Sequence, residues 1–213
     1  MKYLIDTANI NEIEEALSLG IKGVTANPSM YVKENVHFFD FLKTINDLNP
    51  EILTAEVMGE NLEEILATCD KILSINKDII IKINFSKFGL KLINILHKKG
   101  IKTACTLIFN VNQASLAINA GADYIFPFIG RNDENGYDGV KTLSAICEFI
   151  RLNNYETKVV AASIKNVYHL EQAVLCGCDY CAITSDTFDK ALHHNLTVAG
   201  AKTFESDWTK VAL

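Results

Sequence analysis

The sequence predicts a (β/α)8 barrel, in which eight parallel strands alternate with helices and close into a cylinder. Three observations carry this prediction: eight short runs rich in β-branched residues, segments of helical spacing between them, and strand-like runs without strict apolar/polar alternation. Such alternation indicates parallel strands, and uninterrupted apolar runs indicate burial on both faces. The main alternative for this pattern is an open doubly wound sheet.

The strand-like runs follow one another along the whole chain. In order they are YLID (3–6), GVTAN (23–27), ILTAEVM (52–58), IIIKIN (79–84), TACTLIF (103–109), YIFPF (124–128), KVVAAS (158–163) and YCAIT (180–184). Eight units in 213 residues fit the length of a barrel of this type.

The segments between the runs have the apolar spacing of amphipathic helices, and several end at a glycine, where a left-handed C-cap is expected. They are INEIEEALSLG (10–20), NLEEILATCDKIL (61–73), FGLKLINILHKKG (88–100), QASLAINAGA (113–122), VKTLSAICEFIRL (140–152) and VYHLEQAVLCG (167–177). Neither G-x-G-x-x-G after the first strand nor G-x-x-x-x-G-K-[ST] occurs, so a nucleotide-binding sheet loses its main support.

The last ten residues predict an extra C-terminal helix after the eighth unit. In FESDWTKVAL (204–213), Phe204, Trp208 and Val211 recur at i, i+4 and i+7 and would share one face. This face either packs on its own barrel or contacts a partner subunit. We expect a homo-oligomer that assembles through this helix.

Composition and charge limit the possible functions. The chain is 49% hydrophobic and 22% charged and has no linker-like segment, so we expect a single domain over residues 1–213. A formal net charge of -6 argues against nucleic acid, because phosphate-backbone binding depends on clustered lysine and arginine. Without a signal peptide or an apolar run of about 20 residues, we expect a cytoplasmic protein with no membrane contact.

Six cysteines raise the question of a metal site. Without a secretory signal we expect reduced thiols rather than disulfides. Cys176, Cys178 and Cys181 are close in sequence, but Cys176 is expected at a helix end and Cys181 inside a strand. No fourth ligand follows at zinc spacing, and the five histidines show no ligand pattern, so we expect no metal and no other cofactor.

Nearly every predicted strand carries or leads to a polar residue. Because the active site of such barrels lies at the carboxyl ends of the strands, these residues are candidates for function. They are Asp6, Asn27, Glu56, Lys82, Thr106, Arg131, Ser163 and Lys165. Several of these residues could instead have purely structural roles. Asp6 could cap the following helix, and Asn27 precedes Pro28 in a turn. Ser163 and Thr106 could simply bond to backbone groups.

Lys82 lies inside the most apolar run of the chain, DIIIKINF (78–85). A buried ammonium is costly unless it is paired, neutralised or used in chemistry, although its long stem could also reach a barrel rim. A desolvated lysine that loses its proton is a nucleophile that forms Schiff bases with carbonyl compounds. The protonated imine then serves as the electron sink, so this chemistry needs no metal.

Schiff-base chemistry also needs groups that move protons and groups that hold a substrate. Glu56 and Asp6 are carboxylates available for proton transfer. Arg131 and Lys165 are cations available for a phosphate. The candidate residues therefore predict cleavage or formation of a carbon–carbon bond in a phosphorylated carbonyl compound.

Seven segments occur in an order and at a spacing typical of one enzyme family. They are YLIDTANINEI, GVTANPS, AEVMG, IIIKI, TLIF, PFIGR and VVAASIKN. Through them the chain resembles, from its first residues to its last, the small transaldolases and the related fructose-6-phosphate aldolases. The resemblance implies that Lys82 is the Schiff-base lysine and that Asp6 is the acid/base at the hydroxyl beside the bond that breaks. Glu56 would act through a water that Thr106 also holds.

The resemblance also implies how the substrate is held. Asn27 would bind hydroxyls of the donor, and Arg131, Ser163 and Lys165 would hold its phosphate. Lys165 replaces the arginine of larger transaldolases, which keeps the charge but loses a bidentate fork.

Two residues depart from the family pattern. Asn84 stands where the small forms commonly have a proline, and Phe126 stands where a serine or alanine is common. A serine there would contact the terminal hydroxyl of the donor, so Phe126 either alters donor binding or turns away.

The resemblance implies a metal-independent transaldolase of the pentose phosphate pathway, acting on small sugar phosphates. It would transfer dihydroxyacetone from sedoheptulose 7-phosphate to glyceraldehyde 3-phosphate, giving erythrose 4-phosphate and fructose 6-phosphate. The aldolase branch carries Gln and Tyr where this chain has Glu56 and Phe128, so both residues favour the transaldolase. The alternatives are an aldolase that releases dihydroxyacetone, a catalytically silent sugar-phosphate binder, and an unrelated barrel isomerase without a covalent adduct.

Overall fold

A computed structural model describes residues 1–211, in which eight parallel strands form a closed barrel. The strands are β1 (Lys2–Asp6), β2 (Gly23–Thr25), β3 (Ile52–Val57), β4 (Ile80–Asn84), β5 (Thr103–Ile108), β6 (Tyr124–Pro127), β7 (Lys158–Ala161) and β8 (Tyr180–Ile183). Each strand pairs with the next, and β8 pairs with β1 to close the cylinder. The predicted (β/α)8 barrel is confirmed, and the open doubly wound sheet is wrong.

Eleven helices lie within residues 1–211. They are α1 (Ile10–Ser18), α2 (Pro28–Lys33), α3 (Phe38–Asp47), α4 (Leu62–Ile75), α5 (Lys87–Lys98), α6 (Val111–Asn119), α7 (Gly130–Glu134), α8 (Gly139–Leu152), α9 (Val167–Leu175), α10 (Ser185–Leu192) and α11 (Asn195–Trp208). The six predicted inter-strand helices are α1, α4, α5, α6, α8 and α9. Four further helices, α2, α3, α7 and α10, were not predicted.

Asparagine side chains begin many of the helices. Asn9, Asn27, Asn61, Asn110 and Asn166 each accept a hydrogen bond from a backbone N–H of the first turn. Asn9 therefore caps α1, and the structural alternative for Asp6 is wrong. Asn27 does have a structural role, but as the N-cap of α2 rather than as a simple turn residue. Gly20, just after α1, has a φ of 93°, as a left-handed C-cap requires.

Two apolar cores hold the barrel, one between strands and helices and one inside the cylinder. The inner core consists of Leu4, Ile52, Ile80, Ala104, Phe126, Val160, Ala162 and Ala182. Side chains two residues further along a strand face the same side. Two residues after the core residues Leu4, Ile80 and Ala104 come Asp6, Lys82 and Thr106, whose side chains therefore also point into the barrel. They form a polar layer between the inner apolar core and the carboxyl ends of the strands.

The predicted C-terminal helix is present as α11, which begins nine residues before Phe204 and ends at Trp208. Phe204 and Trp208 lie in α11 and are 75% and 63% exposed. The alternative that this face packs on its own barrel is therefore wrong. Val211, 49% exposed, lies beyond the end of α11, so the prediction that it shares their helical face is wrong. The last two residues of FESDWTKVAL, at positions 212–213, lie outside the described residues. No helix in residues 1–211 is long and apolar enough to cross a membrane.

Candidate active site

A cavity of about 650 Å³ opens at the carboxyl ends of the barrel strands. All nine residues that the sequence singled out line it: Asp6, Asn27, Glu56, Lys82, Thr106, Phe128, Arg131, Ser163 and Lys165. They come from segments more than a hundred residues apart, and the closed barrel brings them to one end. The placement agrees with the rule that barrels of this type build their sites at this face.

Lys82 lies on the floor of the cavity and is only 4% exposed, so it does not extend to the barrel rim. Its Nζ donates to the Ala26 carbonyl oxygen at 2.9 Å and lies 3.1 Å from Glu56 Oε2 and 3.4 Å from Thr25 Oγ1. Glu56 and Lys82 are register partners on β3 and β4, which places both side chains inside the barrel. The costly buried ammonium is thus paired with a buried carboxylate.

Asp6 is a second carboxyl group beside this pair. Burial raises the pKa of the Asp6 carboxyl, the Lys82 ammonium acts against that shift, and the Glu56 charge adds to it. Its Oδ1 atom is buried and has no hydrogen-bond partner among residues 1–211. A carboxylate with a raised pKa is a better proton acceptor than an exposed one, so Asp6 suits acid/base chemistry.

Thr106 completes the polar layer from β5. Its hydroxyl is buried and makes no hydrogen bond within the described part of the chain. The pairing of β5 with β6 shifts register between Cys105 and Ile108, and Leu107 there has a φ of 61°. A leucine in the left-handed region costs about 1–2 kcal/mol, and such strain is typical of functional sites.

Phe126 points into the barrel and is 2% exposed. Lys82 Nζ lies 5.3 Å from the centre of its ring, within the range of a cation–π contact. Of the two expectations for this residue, turning away is wrong. The ring forms part of the cavity lining beside the amine.

The predicted phosphate residues occupy one side of the cavity rim. Ser163, with a φ of 57°, accepts a hydrogen bond from the backbone N–H of Arg131 at its Oγ atom, 3.1 Å away. Lys165 Nζ lies 3.2 Å from Glu134 Oε1, and both side chains are about half exposed. Arg131 has no salt-bridge partner in residues 1–211. Its guanidinium lies 5.0 Å from the ring centre of Phe128.

The remaining predicted residues lie nearer the mouth. Phe128 packs edge-on against Phe109 with ring centres 5.6 Å apart. Asn27 lines the cavity while its Oδ1 caps α2, which leaves its amide nitrogen for a ligand. Asn84 donates to Met58 Sδ at 3.3 Å, so the residue that replaces the usual proline also lines the cavity.

Sequence reasoning missed several contributors. Thr25 and the Ala26 carbonyl contact Lys82, and Lys33 adds a cation to the rim. Thr25 and Ala26 lie inside the segment GVTAN, so their position at a strand end was a usable signal. Lys33 had no comparable signal, because α2 was not predicted. Among residues 1–211, no three His, Cys, Asp or Glu side chains are grouped in a way that could hold a metal ion.

Comparisons with known proteins show which family the chain resembles. A family profile described as transaldolase/fructose-6-phosphate aldolase matches residues 3–212. A probable transaldolase of Methanococcus maripaludis is 40% identical over 209 residues, covering 98% of this chain and 97% of its own. A probable transaldolase of a Geobacillus species is 39% identical, and the match covers 99% of each chain. A probable transaldolase of a Thermoanaerobacter species is 38% identical, and the match covers 100% of this chain and 99% of the relative.

Proposed function

Because the chain belongs to the transaldolase/fructose-6-phosphate aldolase family, we propose that it transfers dihydroxyacetone units between sugar phosphates through a Schiff base on Lys82. The proposed reaction converts sedoheptulose 7-phosphate and glyceraldehyde 3-phosphate into erythrose 4-phosphate and fructose 6-phosphate, in the cytoplasmic pentose phosphate pathway. The observation that carries the proposal is the Lys82 ammonium, buried on the floor of an open cavity and paired with one carboxylate.

The reaction begins when Lys82 loses its proton and attacks the carbonyl carbon of the donor. Glu56 Oε2, 3.1 Å from Nζ, is the nearest base for that proton. A C–N bond forms, and the carbinolamine hydroxyl then leaves as water once it has been protonated. We assign these transfers to Glu56 acting through a water that the Thr106 hydroxyl also binds.

Asp6 acts in the step that breaks the carbon–carbon bond. It accepts the proton of the hydroxyl on the departing carbon, which becomes an aldehyde, while the bonding electrons move to the iminium. A three-carbon enamine remains on Lys82 until an acceptor aldehyde arrives and the steps reverse. The raised pKa of the Asp6 carboxyl supports this role, because it strengthens the carboxylate as a base.

The substrate's phosphate is held away from the reacting carbons, at the cavity rim. Arg131, Ser163 and Lys165 supply a guanidinium, a hydroxyl and an ammonium for it, and Lys33 adds a further positive charge. The Lys165–Glu134 pair is exposed and therefore weak, so a phosphate can replace Glu134 as the partner of Lys165. Local cations of this kind suit an anionic substrate in a chain with a net charge of -6.

The second candidate is an aldolase that uses the same Lys82 and Asp6 but hydrolyses the adduct. Phe128 supports the transferase, because a phenyl ring cannot orient a hydrolytic water as a phenol can. The test is to incubate the enzyme with fructose 6-phosphate, with and without erythrose 4-phosphate, and to measure sedoheptulose 7-phosphate and free dihydroxyacetone.

We expect transfer with the acceptor and much slower release without it. Fast release with poor transfer would make the protein an aldolase. The absence of both products would support a catalytically silent binder.

A further inference from the structure

A buried histidine lies behind the predicted phosphate residues. His169, the third residue of α9, is 7% exposed, whereas the other four histidines of the chain are exposed. Its ring has no part in the steps proposed above. A buried polar ring needs hydrogen-bond partners, and those that His169 has lie in two other segments of the site.

Both ring nitrogens of His169 are used. Nδ1 accepts the backbone N–H of Lys165 at 3.3 Å, and Nε2 lies 2.9 Å from Asp133 Oδ2. A nitrogen that accepts carries no proton, so the ring proton is on Nε2 and is donated to Asp133. The other Asp133 oxygen, Oδ1, accepts the backbone N–H of Gly139 at 2.8 Å, which fixes the carboxylate.

These contacts connect the two segments that carry the cations. Asp133 lies in α7, two residues after Arg131, and Lys165 lies in the loop between β7 and α9. Backbone contacts join the same segments, since Gly130 N donates to Ser163 O at 2.9 Å and Arg131 N to Ser163 Oγ at 3.1 Å. His169 is the buried side chain that bridges them.

We propose that His169 is a positioning residue that sets Lys165 and Arg131 in place for the substrate's phosphate. The inference rests on the phosphate site of the proposed function. Lys165 has a long, half-exposed side chain, and its pair with Glu134 is too exposed to hold it firmly. The position of the ammonium therefore depends on its backbone, whose N–H is fixed by the His169 ring.

The experiment measures how much ligand half-saturates borohydride trapping on Lys82. Fructose 6-phosphate and dihydroxyacetone leave the same three-carbon fragment on the lysine, but only the first carries a phosphate. His169→Ala removes both hydrogen bonds. We expect it to raise the half-saturating concentration of fructose 6-phosphate about 10-fold, the effect of one hydrogen bond to a charged group. The value for dihydroxyacetone should stay within about 2-fold of wild type.

Two further variants separate positioning from folding. In His169→Asn the side-chain oxygen can still accept the Lys165 N–H, so we expect part of the fructose 6-phosphate affinity to return. Glu171→Gln, an exposed position on the same helix, should change neither value. An equal loss for both ligands in His169→Ala, or no rescue by asparagine, would assign His169 to the fold and overturn the inference.

Arg131→Ala distinguishes this inference from the proposed phosphate site. If Arg131→Ala weakens only the phosphorylated ligand and His169→Ala weakens neither, the phosphate site stands and the role of His169 is wrong. If Arg131→Ala affects both ligands equally, the phosphate site itself is wrong, and the inference about His169 falls with it. If the wild-type protein traps neither ligand, the proposed function fails.

Discussion

Among single residues, Asp6 is a buried carboxyl group whose proposed role in catalysis conflicts with stability. Its carboxyl is buried beside Glu56, and burial raises its pKa above the ordinary 3.8. At neutral pH, the folded protein therefore either keeps a proton on the Asp6 carboxyl or buries a negative charge, and both cost free energy of folding. We predict that Asp6→Asn stabilises the fold at pH 8, because the amide removes the cost of burying a carboxylate, while carbon–carbon bond cleavage is lost.

The stability gained by Asp6→Asn should increase as the pH rises. Below 3.8 both the folded and the unfolded chain hold the Asp6 proton, so the wild-type carboxyl costs nothing. As pH rises above that value the unfolded chain releases the proton first, and wild-type stability falls until the folded pKa is passed. Melting temperatures at pH 4 and pH 8 check this. A gain that is the same at both pH values, or a loss of stability at pH 8, would contradict the raised pKa of Asp6.

Phe128 is predicted to control the fate of the enamine. Its ring lines the cavity between Phe109 and the Arg131 guanidinium. We predict that Phe128→Tyr raises dihydroxyacetone release relative to transfer roughly tenfold, the effect of one added hydrogen bond to a hydrolytic water. Phe128→Leu, which adds no hydroxyl, serves as the control. An unchanged product ratio in Phe128→Tyr would mean that the ring does not face the fragment.

Single residues could be singled out from the sequence where burial and polarity conflict. Lys82 could be recognised because an ammonium inside an isoleucine run is costly anywhere. Phe126 and His169 could not be assigned in the same way, because apolar and aromatic residues are ordinary in strands and helices. Their roles depend on contacts with Lys82, Asp133 and Lys165, which are 44, 36 and 4 residues away in sequence.

Among the elements, all eight strands and six of the helices that connect them were predicted, whereas α2, α3, α7 and α10 were not. The strands were overestimated by one or two residues at several carboxyl ends, since Asn27 and Thr184 are helix N-caps rather than strand residues. The helix α3 was missed although Phe38, Phe41, Leu42 and Ile45 have helical spacing, because its signal follows directly on the short α2. The five-residue α7 is too short for periodicity to show.

The helix α7 is held against the loop after β7 by a glycine. A Cβ atom on Gly130 would lie against Lys165 Cγ and 2.5 Å from the Ser163 carbonyl oxygen, so one segment must move. We predict that Gly130→Ala costs about 1–3 kcal/mol of unfolding free energy, as overpacking usually does, and raises KM for phosphorylated substrates.

The control for Gly130→Ala is Lys91→Ala at an exposed position in α5. Lysine and alanine have similar helix propensities, so this change should alter the free energy of unfolding by less than about 0.5 kcal/mol. Chemical denaturation and steady-state kinetics of both variants check the prediction. A Gly130→Ala variant with normal stability and normal KM would show that α7 and the loop are not tightly coupled.

In the whole molecule, the barrel separates an apolar core from a polar cavity along its axis. The inner apolar core lies below, and the polar layer of Asp6, Glu56, Lys82 and Thr106 lies above it at the open end. This division could be predicted, because polar residues occur at or just after the carboxyl end of nearly every strand.

The helix α11 has no buried residue in the single chain. Leu196, Phe204 and Trp208 are all exposed, at 75%, 75% and 63%. We propose that a second copy of the chain covers this face, because large exposed apolar residues on one helix are typical of an interface.

We predict that Trp208→Glu lowers the molecular mass measured by light scattering during gel filtration. The change places a charge in the proposed interface without disturbing a buried contact of the single chain. Lys202→Glu, on the opposite side of α11, is the control and should leave the mass unchanged. A wild-type protein that runs as a monomer would contradict the proposal.

Lys82 is expected to carry the substrate as a covalent imine during turnover, and borohydride trapping with fructose 6-phosphate shows whether it does. After reduction and digestion, mass spectrometry should find a reduced three-carbon fragment on the peptide that contains Lys82 and on no other lysine. Lys82→Met, checked for folding by circular dichroism, should show neither adduct nor turnover. Turnover by Lys82→Met at nearly the wild-type rate, or an unmodified Lys82 in an active, borohydride-treated enzyme, would contradict the account.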